Sequence, residues 1–165
     1  MPLSTKAIFG KRVLSQLSAG DYIEWAGEML VQGFDSHHLR ILAGLDNSTG
    51  LFEAEERFLR CSTELEITAP DPETAIRAYA CEIAQQLIAG RLTGREGVRA
   101  LYQICRATEY DPDFLIWYDL DDAFDHLRAG DYPYTYPSAT LENYNEVAKQ
   151  EAEKFIADMS SRFAI

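Results

Sequence analysis

Apolar residues recur along the chain at intervals of three and four, a spacing that predicts a string of amphipathic helices. The clearest run extends from about Pro72 to Ala89, where Ile76, Tyr79, Ala80, Ile83, Ala84, Leu87 and Ile88 share one face. Asp71 is placed to cap this helix, and Pro72 suits a first turn because its missing N–H needs no partner there. Thr93-Gly-Arg-Glu96 has the form of a capping box. It opens a helix with Val98, Leu101, Tyr102 and Cys105 on its apolar side. A C-terminal helix from about Leu141 to Phe163 carries Leu141, Tyr144, Ala148, Ala152, Phe155, Ile156 and Met159 on one side. Earlier helices are expected at about Thr5–Leu17, Tyr22–Val31, His37–Ala43 and Leu51–Leu65.

Four of these segments end in similar phrases, at Gly20, Gly44, Gly90 and Gly130, each preceded by Ala. A glycine just past the last apolar position takes the left-handed conformation that closes a helix. The uneven spacing of the four marks a shared stop chemistry and not a repeat. No strand pattern competes: Ile67-Thr-Ala is too short, and Tyr132-Pro-Tyr-Thr-Tyr-Pro137 reads as an extended connector. Short loops favour antiparallel neighbours. The expected fold is all-α, a single domain of seven to eight helices arranged as a bundle or a short stack of helical hairpins.

Charge changes the picture in one place. Between Glu109 and Tyr136 stand eight carboxylates and a single base, Arg128, with eight aromatic residues among them, out of a chain net charge of −12. On a helix, Asp121 and Asp125 are like charges at i,i+4, and Asp119/Asp122 and Asp122/Asp125 at i,i+3. Each such pair disfavours the helix by a few tenths of a kcal/mol. Asp111 and Asp113 flank the start at Pro112, where carboxylates suit the helix dipole. The wheel then places Ile116, Leu120, Ala123, Phe124 and Leu127 toward the core, and Tyr118, Asp119, Asp121, Asp122, Asp125 and His126 outward.

Composition excludes several classes. At 165 residues and 47% hydrophobic, the chain is long and apolar enough to fold, and no window reaches the ~18 apolar residues of a membrane span. The first twenty residues lack the apolar core of a secretory signal. Three cysteines without CxxC spacing argue for a reducing, cytoplasmic setting. Excess acid disfavours nucleic acid, which is held by clustered Lys and Arg. It suits a basic protein partner, a cation, or solubility alone.

No catalytic constellation emerges. His37 and His38 are adjacent, so on a helix their side chains diverge and cannot chelate one ion together. His126 has Asp122 at i−4, which is half of a metal site at best. There is no HExxH, EF-hand, P-loop or GxSxG pattern. Neither a cofactor nor a metal is expected. Arg95, Arg99 and Arg106 form a helical stripe whose simplest role is to face the acidic segment within the same molecule.

Two readings of the acidic–aromatic segment remain. In one, the acid serves solubility and the tyrosines pack over the helices. In the other, Trp117, Tyr118, Asp119, Asp121, Asp122, Asp125, His126, Tyr132, Tyr134 and Tyr136 dock a basic protein, as aromatic anchors with an acidic rim do at interfaces. Such a module is non-catalytic and resembles inhibitors or immunity-type proteins in general character only. On this reading, Asn at positions 121, 122 and 125 leaves the fold intact or slightly more stable and abolishes binding. The alternatives are a helical metal-dependent enzyme around Asp122 and His126, and a homo-oligomer that sets the acidic face against the arginine stripe of another copy.

Overall fold

The computed structural model describes residues 3–46 and 48–163, and among them the chain is all-helical without strands. In chain order come α1 (Thr5–Val13), α2 (Ala19–Val31), α3 (His37–Ala43), α4 (Leu51–Glu64), α5 (Pro72–Ile88) and α6 (Gly94–Ala107). A 3-10 turn, Pro112–Phe114, leads into α7 (Leu115–Ala129), and α8 (Tyr144–Arg162) follows. The expectation of an all-α fold with seven to eight helices is met. No helix among the described residues is long and apolar enough to cross a membrane.

Backbone contacts divide the chain into two compact units, one up to Tyr79 and one from Ala80 onward. The boundary falls within α5.

The first unit is organised around Phe58 on α4. Its buried ring meets Phe9 of α1 at 5.3 Å, and Tyr22 and Trp25 of α2 at 4.9 and 5.0 Å between centroids. The Trp25 indole N–H donates to Thr5 Oγ1 at 3.2 Å, so its burial leaves no orphan donor. α1 reaches α5 through Gly10, where a Cβ would stand 2.1 Å from the Ala75 carbonyl oxygen. Glu64 closes the unit by accepting from the His38 backbone N–H at 2.9 Å and meeting the His38 ring at 2.5 Å. It thereby ties the end of α4 to the first turn of α3.

The second unit packs α6, α7, α8 and the last turns of α5 around Leu87, Leu101, Ile104, Phe114, Trp117 and Leu120, all fully buried. α6 meets α8 at Gly94, whose N–H donates to Asn145 Oδ1 at 2.6 Å. A Cβ there would lie 2.9 Å from Asn145 Cα, so only glycine permits this approach. The predicted Thr93–Glu96 capping box is formed in both directions.

Three boundaries depart from the sequence reading. α1 ends at Val13, four residues early, because Ser15 turns left-handed (φ 55°) and Ser18 begins a new helix. Ser18 and Asp21 form a reciprocal capping box, so Gly20 sits in the first turn of α2 and stops nothing. Gly90 and Gly130 do close their helices left-handed, whereas Gly44 closes α3 with φ −90°. At the far end, Thr140 and Asn143 hydrogen-bond reciprocally (2.7 and 3.1 Å). These bonds hold the chain in a turn, delay α8 to Tyr144 and leave Leu141 exposed.

Candidate functional site

α7 lies against α6 with the aspartate row turned partly inward. Asp121 is only 4% exposed and receives two guanidiniums, from Arg95 at 2.7 Å and Arg99 at 2.9 Å. Arg95 also reaches Asp125 at 3.0 Å and stacks over the Phe124 ring at 4.4 Å. Two of the three stripe arginines therefore face the acidic segment of the same chain, as the sequence implied. Burial pushes the Asp121 carboxyl above its ordinary range, and Arg95 and Arg99 pull against that push. This pairing corrects the outward placement of Asp121: its like-charge clash with Asp125 is offset inside the molecule, and the residue is not surface. It also removes Arg95 and Arg99 from the set open to the acidic face of another copy.

Trp117 requires the same correction. It is fully buried, with its ring edge-on to Phe155 at 5.5 Å, and cannot serve as an exposed anchor. The buried face of α7 runs through Trp117, Leu120, Asp121 and Ala123. It is turned from the predicted face toward Trp117, because the indole has the larger apolar area to bury.

After α7, Gly130 (φ 81°) reverses the chain, and Asp131 N–H bonds back to the His126 carbonyl at 2.9 Å. The strap that follows is fastened at three residues. Pro133 is buried, Thr135 Oγ1 donates to the Asp119 carbonyl at 2.8 Å and reaches Asp122 at 3.2 Å, and Tyr136 Oη donates to Glu151 at 2.8 Å. Tyr136 is consequently an anchor toward α8 and not a presented ring. Between the fastenings, Tyr132 and Tyr134 are 54% and 73% exposed. Their rings meet edge to face at 5.0 Å, and Tyr134 stands similarly against His126 at 6.1 Å. His126 Nε2 lies 3.6 Å from Asp122; Asp125, the preceding residue, and Asp131, just past the Gly130 reversal, are exposed.

Of the ten residues singled out from sequence, the strap gathers His126, Tyr132 and Tyr134 with Asp122. Asp119 is half-buried, its carboxyl raised by burial and by Asp122, and it contributes mainly its backbone carbonyl. Tyr118 belongs to another group of rings, with Tyr102 and Tyr110 each 6.0 Å away. Sequence reasoning missed Asp131 and Thr135. Asp131 was legible as the acid adjoining the first tyrosine, but Thr135 carried no signal of its own.

No group of three or more His, Cys, Asp or Glu side chains among the described residues is arranged to hold a metal ion. His37 and His38 stand edge to face at 5.1 Å, and the His38 ring is engaged by Glu64. The three cysteines are buried, and burial raises the thiols of Cys61 and Cys81 to about 11 and about 12. Thiols so protonated are poor nucleophiles.

Comparison with known proteins gave no matching family model, curated protein or solved structure.

Proposed function

We propose that this chain is a non-catalytic binding module that docks a basic protein on the strap face, with Tyr132 and Tyr134 as anchors and Asp122, Asp125 and Asp131 as the acidic rim. The observation that carries the reading is the fastening of the strap: the two exposed tyrosines flank a buried proline, Tyr132 following the Asp131 N–H bond to His126 and Tyr134 preceding the hydrogen-bonded side chains of Thr135 and Tyr136. Rings ordered in advance lose little conformational entropy on binding, so their apolar area is available to affinity. Tyr is a preferred interface anchor, and carboxylates around it speed capture of a cationic surface. An inhibitor or immunity-type role is one use to which such a surface would be put.

The test is calorimetric titration with an arginine-rich peptide at physiological salt. Wild type should bind, and Tyr132→Ala/Tyr134→Ala should weaken binding by about tenfold or more without a change in stability, as for loss of two anchors. Unchanged affinity in that variant would show the peptide held by diffuse charge alone and would overturn the reading.

A further inference from the structure

The outer side of α4, in the first unit, carries a charge pattern that is its own complement. Phe52, Glu53, Glu56, Leu59 and Arg60 lie on the side of the helix turned from its buried residues, with Arg57 at the edge. Phe52 is 82% exposed and Leu59 43%, so two large apolar side chains face water there. The other charges of α4 are engaged within the unit: Glu55 holds Arg12 at 2.7 Å, and Glu64 holds His38.

What remains is Glu53, Glu56, Arg57 and Arg60, in the order acid, acid, base, base and without net charge, in a chain of −12. Glu56 and Arg60 pair along the helix at 2.5 Å, both half-exposed. Glu53 and Arg57 have no ion-pair or hydrogen-bond partner among the described residues, and the Arg57 Nε is buried without one. Two copies of α4 laid antiparallel about a two-fold axis set Glu53 opposite Arg60 and Glu56 opposite Arg57, and the symmetry makes each pair twice. The bridge along the helix is kept, because a guanidinium has donors enough for two carboxylates. The same register brings Phe52 of each copy within about one turn of Leu59 of the other. A parallel arrangement sets acid beside acid and base beside base, which is repulsive. The helix dipole accounts for acids ahead of bases, but not for Phe52 and Leu59 standing exposed on the same side.

We propose that this face of α4 pairs antiparallel with the same face of a second copy of the chain, the repeated ion pairs fixing the register and Phe52 and Leu59 supplying the apolar contact. Charged pairs flanking a helix–helix seam set orientation more than they add affinity. One helix pair is a small interface, so the association is weak and reversible. The net charge of −12 opposes it only at long range, since charges beyond about 8 Å are screened at physiological salt. The face shares no residue with the strap, so it stands or falls independently of the function proposed above.

The test is sedimentation equilibrium of the full chain at physiological salt, from about 10 μM to about 1 mM, the range in which a weak interface fills. The mass of wild type should rise with concentration from one chain toward two. Glu53→Arg and Arg60→Glu, each alone, should weaken self-association by about tenfold or more, because each sets like charges opposite one another. An equimolar mixture of the two variants should recover wild-type association, since each substituted side chain then meets its opposite charge across the axis. That recovery separates lost pairing from lost folding. Tyr132→Ala/Tyr134→Ala should associate as wild type does. A wild type that stays at one chain mass or grows past two, single variants that associate like wild type, a mixture that stays monomeric, or loss of association in the strap variant would overturn the proposal.

Discussion

The Arg95 guanidinium holds the Asp121 carboxylate at 2.7 Å, joining α6 to α7 across a nearly buried contact. The two partners are not equivalent. Asp121 is almost wholly inside, whereas the Arg95 and Arg99 side chains keep 29% and 49% exposure. Removing the arginines strands a buried charge; removing the carboxylate leaves cations that water can reach. Arg95→Ala/Arg99→Ala should therefore cost about 3–5 kcal/mol, and Asp121→Asn about 1–2 kcal/mol. Chemical denaturation of the two variants checks the order. Asp125→Asn, at the exposed end of the network, should change stability by less than about 0.5 kcal/mol. The earlier expectation that Asn at 121, 122 and 125 is harmless to the fold is thus revised at position 121 alone.

Glu64 gives a pH dependence of definite sign. The Ser36 hydroxyl, then the backbone and ring of His38, lower its carboxyl from 4.5 to about 2. A carboxyl lowered in the folded state adds stability above its unfolded pKa, and that contribution fades as pH falls through the folded one. Wild type should be more stable than Glu64→Gln at pH 7, and the gap should close between about pH 4.5 and pH 2. Thermal melts of both proteins across that range decide it. A gap that widens on acidification contradicts the assignment.

Gly10→Ala should be among the most damaging small changes. The new methyl would lie 2.1 Å from the Ala75 carbonyl oxygen, which belongs to a helix backbone and cannot swing aside. A loss of about 2–3 kcal/mol or more is expected, because overpacking here must separate α1 from α5. A variant as stable as wild type in denaturant would show that the two helices do not pack so closely.

Cys61 and Cys81 should resist alkylation in the native protein. Burial raises both thiols, leaving little thiolate at neutral pH. Mass spectrometry after iodoacetamide treatment at pH 7.5 should find them unmodified until denaturant is added.

Much of this fold was legible because helix amphipathicity is a local property. His37–Ala43 coincides with α3, and the Thr93–Glu96 box lies within four residues and was readable as such. What escaped were choices made by distant partners. The inward turn of Asp121 goes with its pairing to Arg95 and Arg99, 26 and 22 residues earlier, and with the burial of Trp117 on the same face of α7. Tyr136 looked like its neighbours Tyr132 and Tyr134, yet Glu151 on α8 draws it in. Alternation along the strap was visible; which rings it would present was fixed by Thr135 and Pro133, residues with no charge or size to mark them.

The central claim is that the strap face, and not acidity at large, recognises a basic protein. Its most direct test is NMR titration of the labelled chain with an arginine-rich peptide at physiological salt. The account predicts saturable shifts concentrated on Asp122, Asp125, His126, Asp131, Tyr132 and Tyr134. Shifts spread evenly over exposed carboxylates of both units, or none at the two tyrosines, would contradict it.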